Sequence, residues 1–273
     1  MVVRIQSEIS CARTSSRRRR RLPGLALLAA GGIVYGSLIR SWQLHWGATA
    51  EEASAALPGD DLVAVARYVT TRAVTIETPP EAVWPWLVQL GQGRAGFYTY
   101  DRLEQFVGAA IRSADRIRPE LQQLAEGETV RLSPVGGPKV AILEPARALV
   151  LEDTMDLRTG QSVPPGTASS FVMNWTWSFT LRPTYNRATR LVVRTRADFR
   201  PHALLAPVVP ILLEPAHFVM ERGMLLGIKR RAERQKRVEW NSRPSGSGRS
   251  ALVGGTDCFG SPRTKISAFA LAY

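Results

Sequence analysis

Along FVMNWTWSFTL at 171–181 the side chains alternate without a break, Phe171, Met173, Trp175, Trp177, Phe179 and Leu181 against Val172, Asn174, Thr176, Ser178 and Thr180. A period of two is the mark of a β-strand, and large apolar groups opposing small polar ones predict an antiparallel sheet with one buried and one wet face. The stretch 191–200 repeats the logic, with Leu191, Val193, Thr195, Ala197 and Phe199 opposing Arg194, Arg196, Asp198 and Arg200. A turn around Asn186 joins the two into a predicted hairpin. Upstream, 72–77 reads as a strand and 81–90 as a helix opened by Pro79, Pro80 and Glu81. Short helices are expected at 100–107 and 119–125, and further strands at 129–132, 139–143 and 149–153, with Gly127, Gly136, Gly137 and Pro145 at the turns.

After the proline-rich 201–210, residues 211–237 carry Leu213, His217, Met220, Met224 and Ile228 at three- and four-residue spacing, which predicts a long helix with one buried side. Strand, helices, antiparallel strands and one long terminal helix make an α+β fold in which a curved sheet covers its apolar face with that helix. Trp175, Trp177, Phe179, Val193 and Thr195 on the sheet and His217, Met220 and Met224 on the helix are the candidate lining of a cavity between them. Rigid aromatics and soft thioethers suit an apolar ligand, although the same residues packed directly on one another would make an ordinary filled core.

Charge enters through its position. The chain of 273 residues is formally +13, but residues 1–21 are +6 and residues 229–273 are +7, leaving nineteen basic and nineteen acidic residues in 22–228. A neutral body with basic ends lacks the continuous basic stripe of a phosphate-tracking surface, so a nucleic-acid partner is not expected and a membrane surface is. Between Arg21 and Arg40 lie eighteen uncharged residues, close to the ~20 that cross a ~30 Å hydrocarbon layer. Residues 22–39 read as a transmembrane helix whose basic flank keeps 1–21 cytoplasmic and the main domain extracytoplasmic, at the cell membrane, with Trp42 and Trp46 as interfacial anchors. The alternatives are a signal peptide removed near Ala48-Thr49-Ala50 and a buried core helix. Residues 40–71 then read as a linker, 72–237 as the folded domain, and 238–273, with SRPSGSGRS, as a disordered tail.

The chemistry-bearing residues are sparse. Cys11 and Cys258, with His45, His202 and His217, make neither a metal spacing nor a disulfide framework, and no cofactor is expected. Gly91-Gln92-Gly93-Arg94-Ala95-Gly96 spells a dinucleotide fingerprint, but it follows a predicted helix where that motif needs a strand, and it reads as a glycine-rich turn between two helices. Phe97, Tyr98 and Tyr100 beside it are candidates for a cavity mouth, and Arg94 and Asp101 for polar contacts to a ligand head group. His217, with Asp115 or Glu120 as a carboxylate partner, is the candidate acid or base should the cavity catalyse a reaction.

HWGAT at 45–49, TPPEAVWPWLVQLGQGRAGFYTYDRLE at 78–104, SADRIRPELQQL at 113–124 and FVMERGMLLGIKRRAE at 218–233, in this element order, resemble the START and polyketide-cyclase-like superfamily, SRPBCC. Uncharacterised actinobacterial membrane-anchored members are the most similar, and the resemblance covers about 45–237, with Ala95 standing where a glycine is expected. It implies a helix-grip fold with a cavity for an apolar small molecule or lipid. It implies no particular reaction, since carriers, receptors and cyclases share the fold, and a cyclase-, dehydratase- or hydrolase-like enzyme is the alternative.

Overall fold

The computed structural model describes residues 35–99, 113–133, 136–167 and 169–242. Five strands, β1 (Tyr68–Ile76), β2 (Lys139–Glu144), β3 (Ala148–Asp156), β4 (Val172–Pro183) and β5 (Thr189–Arg200), form one antiparallel sheet in the order β1-β5-β4-β3-β2. The register places Trp177 opposite Thr195 and Leu151, and Phe179 opposite Val193 and Leu149, so the alternating large residues share a single inner face.

Among the described residues the α-helices are α1 (Arg40–Leu44), α2 (Ala50–Ser54), α3 (Pro80–Val88), α4 (His202–Leu205) and α5 (Glu214–Ser242). Helix α5 crosses the inner face and is continued at its N-terminal side by a π-helical turn, Val209–Leu213. Helix α3 starts with Pro80 in its first turn, where the missing N–H costs nothing. The main core is Ile76, Val83, Trp86, Leu87, Leu149, Leu151, Phe179, Leu191, Val193, Met224, Leu225 and Ile228, between sheet, α3 and α5. Gly227 lets α5 approach the chain at Tyr98 closely, because a Cβ there would overlap the Tyr98 carbonyl oxygen.

The buried stripe of α5 is rotated from the expected one. It runs Glu214, Phe218, Glu221, Met224, Leu225, Ile228 and Ala232, whereas Leu213 and Met220 are 40% and 47% exposed. Two glutamates occupy inward positions because each meets a buried or half-buried arginine, Arg40 for Glu214 and Arg72 for Glu221, and hydropathy alone assigns such positions to solvent.

The second face of the sheet is not wet. Thr176, Ser178, Thr180 and Arg194 are buried under residues 45–64, which read as part of a linker in the sequence. Arg194 donates to the carbonyls of Glu52, Ala53 and Ala55 and pairs with Asp60, Arg190 pairs with Glu52, and Arg196 donates to the carbonyls of Val63 and Ala64. Arg194 and Arg196, which read as a solvent face, thus clamp a strap together with Arg190, because a guanidinium has enough donors to satisfy several otherwise unpaired carbonyls at once.

Other differences are local. The helix expected at 119–125 is one 3-10 turn, Pro119–Leu121, and 129–132 is an irregular segment joined to β2 by a single bridge, Thr129 to Lys139. The glycine-rich 91–96 closes on itself by paired backbone bonds between Gly91 and Gly96 directly after helix α3, while Arg94 holds the carbonyls of Val88 and Leu121. The helix expected at 100–107, most of the apolar 22–39 with the basic 1–21, and residues 243–273 of the tail lie outside the described residues, while 238–242, read as the start of that tail, continue helix α5. Among the described residues no helix is long and apolar enough to cross a membrane.

Candidate functional site: a cleft between sheet and long helix

Between strand β4 and helix α5 lies a cleft of about 210 Å3. Trp175 and Trp177 form its sheet wall, and His217, Met220, Glu221 and Met224 its helix wall. Phe97, Thr99 and Leu132 close the side. The walls are overwhelmingly apolar, and the volume equals about seven waters at ~30 Å3 each. Two wider depressions, about 630 Å3 beside Thr78 and Lys236 and about 580 Å3 beside Lys139, Glu152 and Asp153, carry charged side chains on their rims.

A polar network forms the floor. Arg72 and Glu221 make a fully buried ion pair at 2.5 Å, and Arg72 also donates from Nε to the Gln43 carbonyl. The other Glu221 oxygen accepts the Trp177 indole N–H at 2.8 Å and the Thr195 hydroxyl at 3.4 Å, and lies 3.5 Å from His217 Nε2, one turn earlier on α5. His217 Nδ1 lies 2.8 Å from the Tyr68 hydroxyl and 3.4 Å from Arg72 Nη1. His217 thus presents Nδ1 to Tyr68 and Arg72 and Nε2 to Glu221. Burial pushes the Glu221 carboxyl up, but the His217 and Arg72 side chains facing it outweigh burial and bring it down to about 2. Burial also lifts the Tyr68 hydroxyl well above its ordinary range, so it stays protonated.

The network joins Tyr68, His217, Glu221, Arg72 and Trp177. Both His217 nitrogens are engaged within it, and Glu221 is held ionised and surrounded by donors. Asp115, a sequence candidate for partner to His217, pairs with Arg231 instead. Glu120 lies exposed on the 3-10 turn.

Of the residues singled out in the sequence, Phe97, Trp175, Trp177, His217, Met220 and Met224 meet at the cleft, while Thr195 bonds its floor. Phe179 and Val193 are fully buried in the core beyond the cleft. Tyr98 is buried away from any mouth, held by Gln89 Nε2 at 2.7 Å and edge-on to Trp86. Burial raises its hydroxyl well above the ordinary tyrosine range. Tyr100 and Asp101 lie outside the described residues. Arg72 and Glu221 escaped the sequence reading, although one signal existed: Arg72 shares strand parity with Val74 and Ile76, and Glu221 follows His217 by four on the helix. Among the described residues no group of three or more His, Cys, Asp or Glu could hold a metal ion.

No protein-family model matches the chain, and no curated protein does. Solved structures that align with it include a Mesorhizobium loti protein, 18% identical over 61% of this chain and 98% of its own, with a TM-score of 0.33. A Deinococcus radiodurans protein is 18% identical over 62% of this chain and 99% of its own, with a TM-score of 0.30. A Staphylococcus aureus protein of unknown function is 11% identical over 62% of this chain and 97% of its own, with a TM-score of 0.36.

Proposed function

We propose that the chain is a membrane-tethered carrier or sensor of the helix-grip, SRPBCC-like kind that binds an apolar small molecule or lipid in the cleft between β4 and α5. The supporting observation is the contrast between wall and floor. The walls offer Trp175, Trp177, Met220 and Met224, whereas beneath them Glu221 is ion-paired with Arg72 and accepts the Trp177 indole N–H. Apolar walls of this kind favour binding of an apolar group. At about 210 Å3 the cleft is smaller than the ~300 Å3 at which drug-sized sites begin, so it takes one ring or the end of an acyl chain, the remainder of the ligand lying at the open mouth. The tether is the apolar 22–39, long enough to cross a bilayer, with the folded domain on the extracytoplasmic side.

Native mass spectrometry of the full chain, extracted from membranes in a mild detergent, tests the binding. A co-purifying apolar molecule, absent from Met220→Trp, supports it. Bare protein in both, with no uptake of added fatty acid or isoprenoid, contradicts it. A His217→Ala variant that binds such a molecule but loses a measured turnover would instead establish the enzyme reading.

A further inference from the structure

Residues 202–213, HALLAPVVPILL, are a run of twelve without a charged side chain apart from His202 at its start. One side is used in the fold: Val209 and Leu205 pack with Tyr68, Ala197, Phe199 and Trp175 beneath the end of β5. The other side is also apolar and has no cover, with Leu204, Val208, Ile211 and Leu212 all exposed, the last two by about two thirds. A segment of this length is too short to span a bilayer, and in water its outward side should be polar.

The exposed side is continued by a second stretch. Tyr35 donates its hydroxyl to the Pro210 carbonyl and Arg40 pairs with Glu214, which sets Tyr35–Leu44 alongside Val209–Leu213. That stretch adds the exposed Leu38, Ile39 and Trp42, and Arg40 and Glu214 neutralise each other within it. The chain leaves this patch at Tyr35 directly into the uncharged 22–34. A contiguous apolar surface with a tryptophan on it, located where an apolar segment of spanning length meets the domain, fits a lipid surface.

We propose that the patch built from Leu38, Trp42, Leu204, Val208, Ile211 and Leu212 is a monotopic membrane-docking surface, seating the domain on the bilayer interface. The inference deepens the tethering reading and rests on it. Its consequence concerns the cleft: Leu213, His217, Met220 and Met224 share one side of the helical stretch, and Trp175 touches both the cleft and the patch's underlying cluster. A lipid leaving the bilayer meets Leu213 and then Met220 without crossing water, so the ligand is one drawn from the membrane.

Fluorescence depth measurement on the full chain tests this. In a Cys11→Ser, Cys258→Ser background, Leu212→Cys and Tyr185→Cys are each labelled with NBD and reconstituted into phosphatidylcholine–phosphatidylglycerol vesicles. Tyr185 is fully exposed in the β4–β5 turn, at the far end of the twelve-residue β5, roughly 40 Å away at ~3.3 Å per residue. Lipids with a quencher near the top of the acyl chain are expected to remove about half or more of the emission at 212, since an interfacial apolar face reaches ~5–10 Å deep, and to spare 185. Vesicle flotation with 212 unquenched overturns the docking surface and leaves the tether standing. Failure to float overturns both. Shielding of 212 from aqueous iodide without lipid quenching, together with a doubled mass, assigns the patch to a second copy of the chain and also overturns the proposal.

Discussion

At the scale of residues, the buried Arg72–Glu221 pair is the feature with the largest consequence. Removing one partner of such a pair strands the other charge, at a cost of about 3–5 kcal/mol, whereas replacing both by apolar groups is often neutral. Glu221→Gln is therefore expected to lower urea-unfolding stability by about 3 kcal/mol or more, and Arg72→Met with Glu221→Leu to recover most of it. A Glu221→Gln change below about 1 kcal/mol would mean that the pair is solvated. The same carboxylate gives a pH dependence of defined sign. Its folded-state pKa is depressed from 4.5 to about 2, so its contribution is complete above pH 4.5 and is lost as pH falls from there toward 2. Acid unfolding of Glu221→Gln, followed by circular dichroism, should show a shallower loss across that interval than the parent.

At the scale of elements, two close approaches carry the packing. Gly227→Ala forces a methyl group into the Tyr98 carbonyl, a rigid neighbour, and is expected to cost about 3 kcal/mol, the upper end for overpacking. Thermal unfolding checks it. Arg194→Met leaves the carbonyls of Glu52, Ala53 and Ala55 without their donor, so amide hydrogen exchange should rise across 50–64 while β4 stays protected. Unchanged exchange there would show that the strap is held by something else. These elements also show what the sequence could reveal. The alternation at 171–181 is strong enough to locate β4 and its inner face, because a period of two over eleven residues has no helical rival. The outer face was illegible for the opposite reason: Arg194 and Arg196 look like solvated positions until a partner segment supplies carbonyls, and nothing local to 45–64 announces that it will. The α5 stripe failed similarly, since Glu214 and Glu221 are inward only by virtue of Arg40 and Arg72, 174 and 149 residues away in sequence. Cleft residues such as Trp175, Trp177 and Met224 were legible through size and parity. That a gap remains between the strand residues and α5 depends on how the two elements pack, which side-chain pattern does not encode.

At the scale of the whole molecule, sheet and long helix bound an apolar cleft among the described residues. Met220 controls the mouth and is half exposed, so it can be enlarged without disturbing the core. The most direct measurement is a titration of the full chain in nanodiscs with a fatty acid bearing an environment-sensitive fluorophore, comparing the parent, Met220→Trp and, as a control on the far end of α5, Val238→Trp. Saturable binding by the parent and by Val238→Trp, weakened about tenfold or more in Met220→Trp, which corresponds to ~1.4 kcal/mol, is the predicted result. Equal binding by all three, or saturable binding by none, would contradict a ligand site between β4 and α5.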